Sequence, residues 1–474
     1  MYNWKRFWCP ITGKLKFDYL GFLADPEDYG YITNPEVVPF TDISHIPCLV
    51  LLGEAGIGKT TAAKQEYEQR LEQVRDSDDE CLWFELGEYD TDTRLCQKIF
   101  ENEIVQTWRK GSHKLYLFLD SLDEGRLSIN ILARILKREI ENLPCERLYL
   151  RITCRTADWS DCLEQNFKEK WGKENVGIYE LAPLRQSDVI EAANQQNINS
   201  DEFIQEVIQR EAVPFAIKPI TLKFLLKLYQ QNQQFPDSQK ELYKQGCLEL
   251  CKEVNKDRLD SGFTGKLNEE KRLIVAGRIA ALTILANRAA ILTSPETEDM
   301  PDSDITIKDL RGGQEIREQQ KFDVDDACIK EVLSVTGLFS GRGTNRIGFA
   351  HQTYAEFLAA WYLVERKIPL VQVMSLIVSS DDSEHKLVPQ LHETAAWLAS
   401  MRDDILQEII RTDPDVILRS DIATDATKKA IIDNLLKQYE QEKLFPISDN
   451  YGSSGLSVLN YQFYDFITLT KQGL

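Results

Sequence analysis

The stretch Gly53-Glu54-Ala55-Gly56-Ile57-Gly58-Lys59-Thr60 constrains this chain more than any other, because it fits the pattern G-x-x-x-x-G-K-[ST] at every fixed position. Its flanks suit a turn between a strand and a helix. Cys48-Leu49-Val50-Leu51-Leu52 is a continuous apolar run of the kind a buried parallel strand requires. From Thr61 to Arg75, the residues Ala63, Tyr67, Leu71 and Val74 recur at helical spacing. Glycines let the backbone wrap closely about a phosphate with its N–H groups aimed inward, and the helix N-terminus adds positive potential. In such a loop Gly53 to Thr61 cradle the phosphates, Lys59 reaches the terminal ones and the Thr60 hydroxyl binds Mg²⁺. The expectation is a site for a nucleoside triphosphate or diphosphate.

From Ile46 to about Leu181 strand-like and helix-like segments alternate. Strands are expected at Cys48–Leu52, Cys81–Leu86, Leu115–Leu119, Leu148–Thr153 and Gly177–Leu181, with helices between them such as Ile129–Leu143. That alternation predicts a parallel sheet covered on both faces, an α/β unit over 45–182. The preceding residues, 1–44, read as an aromatic and proline-containing lead-in with no recognisable effector. After Pro183 the strands largely stop, and a helical unit is expected over 183–265. Over 266–366 come a long helix (Glu269–Arg288), an acidic loop (Ser294–Asp304) and a helix near Asp326–Thr336. Two β segments about Gly341-Arg342-Gly343-Thr344-Asn345 and a last helix, Thr353–Val364, complete the unit. Helices followed by a glycine-turned hairpin predict a winged-helix domain. The remainder, 367–474, reads as a C-terminal helical region.

Bulk properties narrow the function. A chain of 474 residues can hold several domains, and its net charge of −20 argues against a protein that coats nucleic acid by neutralising phosphates. The most apolar helix, Leu273 to Ala286, is interrupted by Arg278 and too short to span a bilayer. Ten cysteines occur without CxxC pairs; Cys247 and Cys251 share a helix face, but two thiols make a poor zinc site. A reducing, cytoplasmic compartment is expected.

A second constellation complements the loop. Leu115-Tyr116-Leu117-Phe118-Leu119-Asp120 is an apolar strand ending in an acid, placed to hold Mg²⁺ directly or through water. Asp123 and Glu124 follow, and either carboxylate could polarise an attacking water; the alternative is a pair of acids favoured at a helix start. A third strand, Leu148-Tyr149-Leu150-Arg151-Ile152-Thr153-Cys154-Arg155, ends in an arginine that could read the γ-phosphate or simply cap the strand at the surface. No N-K-x-D motif follows the acid strand, which disfavours guanine recognition.

Gly53–Thr60, the acid set Leu117–Glu124 and Thr153-Cys154-Arg155 together resemble the NACHT branch of the STAND signalling NTPases. The likeness continues through Tyr179-Glu180-Leu181-Ala182-Pro183-Leu184. It includes Phe349-Ala350-His351-Gln352-Thr353-Tyr354-Ala355-Glu356-Phe357-Leu358-Ala359-Ala360, which is similar to the family's winged-helix signature. Trp397-Leu398-Ala399, Asp413-Pro414 and Leu418-Arg419-Ser420-Asp421 extend it, so it covers about residues 46–430. The resemblance implies ATP and ADP as ligands, with Mg²⁺ held by Thr60 and Asp120. It implies that Asp123 or Glu124 positions water, and that Arg155 reads the γ-phosphate. Pro219, in Ile217-Lys218-Pro219-Ile220, would line the base pocket, although the family's Gly-x is Ile217-Lys218 here. His351 would contact the diphosphate of a closed state, against the simpler reading of a helix cap.

Such a protein works as a switch, with slow hydrolysis and self-assembly on activation, commonly in bacterial anti-phage defence. An effector or sensor would be supplied in trans or by flanking segments, since about 45 residues precede the sheet. Two other classes compete. A DNA-binding regulator would use the winged helix, but the helix Thr353–Leu363 carries almost no Lys or Arg. An AAA-type motor would need an arginine from a neighbouring subunit.

Overall fold

The computed structural model describes residues 4–28, 30–89, 91–122, 129–156, 159, 161–236, 238–252, 266–293, 303–317, 320–342, 345–379, 386–419, 428–429 and 431–433. Residues 294–302 of the expected acidic loop, Gly343 and Thr344, and residues 380–385, 420–427, 430 and 434–474 of the expected C-terminal helical region lie outside that set.

Seven strands make the main sheet: β1 (Phe7–Pro10), β2 (Val38–Pro39), β3 (Cys48–Gly53), β4 (Glu80–Glu85), β5 (Leu115–Asp120), β6 (Leu148–Arg155) and β7 (Val176–Leu181). Their order is β2-β1-β7-β3-β6-β5-β4. The five strands expected from the sequence are all present and all parallel, pairing β7-β3, β3-β6, β6-β5 and β5-β4. Each lies within two residues of its expected bounds; Leu86 falls in a 3₁₀ turn after β4.

The lead-in is part of this sheet. Trp8, Cys9 and Pro10 pair antiparallel with Leu181, Glu180 and Tyr179, and Phe7 and Trp8 pair with Pro39 and Val38. No alternating pattern advertises these two short strands, so only the long-range pairing defines them.

Side-chain alternation in β3 distributes the core to two faces. Leu49 and Leu51 pack with Ala62 and Ala63 of the helix Lys59–Val74. Cys48, Val50 and Leu52 pack on the other face with Trp108 of Glu103–Lys110 and with Leu132 and Leu136 of Ile129–Glu141. All of these β3 side chains have no exposed surface, which explains why the run is apolar at every position. Burial of each such leucine stabilises by about 1.5–3 kcal/mol.

Beyond Leu184 the chain is mainly helical, and one apolar core runs from there to Ile431, taking in Trp4 and Phe22 of the lead-in. The helices Pro219–Asn232, Gln239–Leu250, Glu269–Leu285, Gln352–Glu365 and His392–Met401 meet in it. Aromatic rings join them: Tyr243 lies 5.4 Å from Phe357 and 4.7 Å from Trp397. The expected hairpin forms, pairing Phe339–Gly341 with Arg346–Phe349. It belongs to a four-stranded sheet with Ala290–Leu292 and Asp304–Thr306. Asp326–Val335 and Gln352–Glu365 flank the hairpin in sequence. Among the described residues no helix is long and apolar enough to cross a membrane.

Candidate nucleotide site

The turn between β3 and the helix Lys59–Val74 is shaped by glycines with positive φ. Gly56 has φ +74°, and a Cβ there would stand 2.6 Å from Cγ2 of Ile220 on the facing helix. Gly58, φ +97°, has the guanidinium of Arg6 behind it, 3.0 Å from where a Cβ would lie. An L side chain would be strained at either position and would push a neighbour away.

The turn opens on a cavity of about 900 Å³, at the upper end of the size range of small-molecule sites. Glu54, Ala55, Gly56, Gly58, Lys59, Thr60 and Thr61 form one wall. Asp120 and Ser121 at the end of β5, and Arg155 at the end of β6, form a second. Pro219, Ile220, Lys223 and Phe224, on the helix Pro219–Asn232, form a third. Gly53 ends β3 at the edge of a smaller neighbouring cleft, and Ile57 turns its side chain into the core beneath the loop. Thus most of the loop, Asp120, Arg155 and Pro219 surround one space.

Lys59 extends its ammonium over its own loop, donating to Gly53 O at 2.8 Å and Glu54 O at 3.0 Å. Both are acceptors that an anion in the loop could replace. Asp120, only 2% exposed, accepts from Thr153 Oγ1 at 2.6 Å on Oδ1 and from Ser121 Oγ at 3.0 Å on Oδ2. Burial raises its pKa; hydrogen bonds from the Thr153, Ser121 and Thr60 hydroxyls and the charge of Lys59 oppose that shift. Ser121 has φ +60°, a conformation costing about 1–3 kcal/mol for a non-glycine residue. In that conformation its N–H donates to Thr153 Oγ1 at 2.7 Å.

The two residues expected to hold a divalent cation are therefore in contact, hydroxyl to carboxylate, at the cavity wall. No cluster of three or more His, Cys, Asp or Glu able to hold a metal by itself occurs among the described residues. One carboxylate and one hydroxyl suit Mg²⁺, which commonly takes its remaining ligands from water and substrate phosphates. The donor set fits.

Arg155 is 5% exposed and sits opposite Gly53 in the β3–β6 register, so it is a buried wall residue and not a surface cap. Asp123 and Glu124 lie outside the described residues.

His351 is not among the cavity-lining residues. It is the N-cap of Gln352–Glu365, its Nδ1 accepting from Thr353 N at 3.3 Å, with Thr353 Oγ1 at 2.9 Å. Burial, with the nearby charges of Lys218 and Arg342, lowers its pKa to about 4, so the ring is neutral at physiological pH.

The structure assigns contacts to residues whose roles sequence reading left blank. Lys218, 4% exposed, pairs its ammonium with the carboxylate of Glu54 in the phosphate loop. Glu54 Oε2 meets it as an ion pair outside hydrogen-bond geometry and has no hydrogen-bond partner among the described residues. The same ammonium donates to Gly337 O at 3.2 Å and lies 5.6 Å from the ring centre of Tyr354. Gly337 itself approaches the loop, because a Cβ there would come within 3.2 Å of Ala55 O. Lys218 thus links the loop, the Pro219 helix, the turn before Phe339–Gly341 and the helix Gln352–Glu365. Its place beside Pro219 was the sole signal in the sequence. Thr153 had one too, standing two residues before Arg155 on the same strand face.

A buried parallel sheet whose G-x-x-x-x-G-K-[ST] turn opens a helix, with an acid-tipped strand beside the Thr60 hydroxyl, defines a phosphate-loop NTPase fold. No protein-family model and no curated protein sequence matches the chain. Solved structures that match include the RuvB Holliday junction branch migration motor of Thermotoga maritima, at 12% identity. That match covers 60% of this chain and 86% of that one, with a TM-score of 0.29. A Walker-type ATPase of Pyrococcus abyssi matches at 14% identity over 71% of this chain and 96% of its own, TM-score 0.33. Cdc6p of Pyrobaculum aerophilum matches at 13% over 69% and 89%, TM-score 0.27. With TM-scores of this size, what the site is follows from its own geometry.

Proposed function

We propose that the chain is an ATP- and ADP-binding switch of the STAND type, in which nucleotide state sets whether the sheet and the helical region stay closed on one another. Lys59, Thr60 and the loop amides would hold phosphates, with Mg²⁺ on Thr60 and Asp120. Arg155 would meet the γ-phosphate, and Pro219 the base. In this reading 266–366 is a winged-helix unit, built on the Phe339–Gly341 and Arg346–Phe349 hairpin. His351 would act on the nucleotide only indirectly, by capping the start of the helix Gln352–Glu365.

One observation carries the reading. The ion pair of buried Lys218 with half-buried Glu54 ties a residue of the phosphate loop to Gly337 O, so loop and hairpin unit share one contact network. A ligand that altered the loop would then act on the hairpin unit too, the coupling that a nucleotide switch between two arrangements would need. Slow hydrolysis by Asp123 or Glu124 would reset it, and assembly with further copies would follow opening. Anti-phage defence signalling is the setting the family resemblance suggests.

The test is to purify the full chain without added nucleotide, denature it, and identify what is released. Near-stoichiometric ADP, followed by slow turnover of added ATP, is the expected result. A site found empty and turning ATP over rapidly and continuously would replace the switch with a motor-type ATPase.

A further inference from the structure

The lead-in strand β1 brings Arg6 to the back of the phosphate loop. Its Nη1 donates to Ile57 O at 2.9 Å and its Nη2 to Ala182 O at 2.7 Å, just beyond β7. The guanidinium also stands directly behind Gly58. Ile57 does not line the cavity, whereas Gly58 does. The Ile57–Gly58 peptide is trans, and in a trans peptide the carbonyl and the following N–H point in opposite directions. A carbonyl held outward by Arg6 therefore turns the Gly58 N–H inward, toward the cavity that an anion would occupy.

We propose that Arg6 is a positioning residue for nucleotide binding: it fixes the Ile57–Gly58 peptide so that the Gly58 amide faces the phosphates, and it ties the loop to the end of β7. The lead-in is then a component of the nucleotide site. This rests on the phosphate-loop reading but not on the switch. Burial lowers the Arg6 pKa to about 10, with Asp188 opposing the shift, so the group keeps its charge at neutral pH and donates charge-assisted hydrogen bonds. Because both nucleotides place a β-phosphate in the loop, losing the contact should weaken ADP and ATP alike.

The experiment measures Mg-ADP and Mg-ATP affinity by calorimetry for the full chain and for Arg6→Ala, Arg6→Lys and Lys59→Ala. Melting without nucleotide is measured in parallel. Arg6→Ala is expected to weaken both nucleotides by about tenfold, the size of one charged hydrogen bond. Arg6→Lys, which cannot fork between two carbonyls, should fall between Arg6→Ala and the parent; it also decides the matter if Arg6→Ala does not fold. Unchanged affinity with lowered melting would overturn the proposal and leave Arg6 a purely structural tie. If Lys59→Ala also bound normally, the phosphate-loop reading itself would fail, and the Arg6 proposal with it.

Discussion

Thr153 Oγ1 donates to Asp120 Oδ1 at 2.6 Å and accepts from the N–H of Ser121 at 2.7 Å, so one hydroxyl on β6 orients the acid at the tip of β5. The relationship crosses a pair of adjacent parallel strands and makes Thr153 part of the site. Thr153→Val keeps the shape and removes both bonds. The buried carboxylate would lose a donor that lowers its pKa, so the acid limb of Mg²⁺-dependent turnover should move to higher pH. Stability should fall by about 1–3 kcal/mol, the cost of leaving a buried polar group unsatisfied. A pH–rate profile beside a denaturant titration measures both; an unmoved limb would show that Thr153 does not tune Asp120.

The Lys218–Glu54 pair predicts a non-additive mutant cycle. Lys218→Met leaves the half-buried Glu54 carboxylate without its counter-charge, which should cost somewhat less than the about 3–5 kcal/mol typical of a fully buried pair. Lys218→Met combined with Glu54→Gln removes both charges and should recover most of that loss. Chemical denaturation of the four proteins gives the coupling directly. Additive costs would mean that the two groups do not interact.

Lys59→Ala should abolish nucleotide retention, weakening ADP binding by at least about a hundredfold if two charge-assisted contacts are lost. Apo stability should fall modestly, since Lys59 donates to two carbonyls of its own loop that water entering the open cavity must then satisfy. Equilibrium dialysis against labelled ADP tests the first expectation and thermal melting the second.

His351 makes a pH prediction. Its folded pKa, about 4, lies below the ordinary value of 6.5, so between those values the unfolded chain binds a proton that the folded chain does not. Its contribution is therefore fully present above pH 6.5 and is lost as pH falls toward 4, by up to about 3 kcal/mol. His351→Asn keeps an N-capping side chain and removes the titration, so its stability should fall less steeply over that window. Equal slopes for the two proteins would dismiss the assignment. If ADP also dissociated faster from the variant, His351 would act on the nucleotide despite lying outside the cavity wall.

Where local rules suffice, sequence and structure agree closely. The turn after Cys48–Leu52, the acid at the end of Leu115–Leu119 and the helix after Gly58 follow from apolar runs, glycine placement and chain direction. So do the inner strands β3 and β5, because a strand buried on both faces must be apolar nearly throughout, while the edge strand β4 and the strands β6 and β7 mix polar residues into shorter apolar runs. The hairpin of Phe339–Gly341 and Arg346–Phe349 was legible for a similar reason, as the sequence puts glycine and asparagine between its two apolar segments.

The amino-acid sequence by itself thus determined a phosphate-binding turn, its acidic partner strand and a parallel sheet followed by helices. Only the tertiary structure decided that residues 7–10 complete the sheet, that Arg6 grips the loop from behind, and that Lys218 pairs with Glu54. It also placed His351 at a helix cap and Ile220 against Gly56. The reason is physical: strand and helix periodicity and turn chemistry act over a few neighbouring residues and leave a trace in the local pattern. An ion pair or hydrogen bond between residues 51 or 164 positions apart leaves none, because each partner alone is an ordinary charged side chain until packing brings the two together.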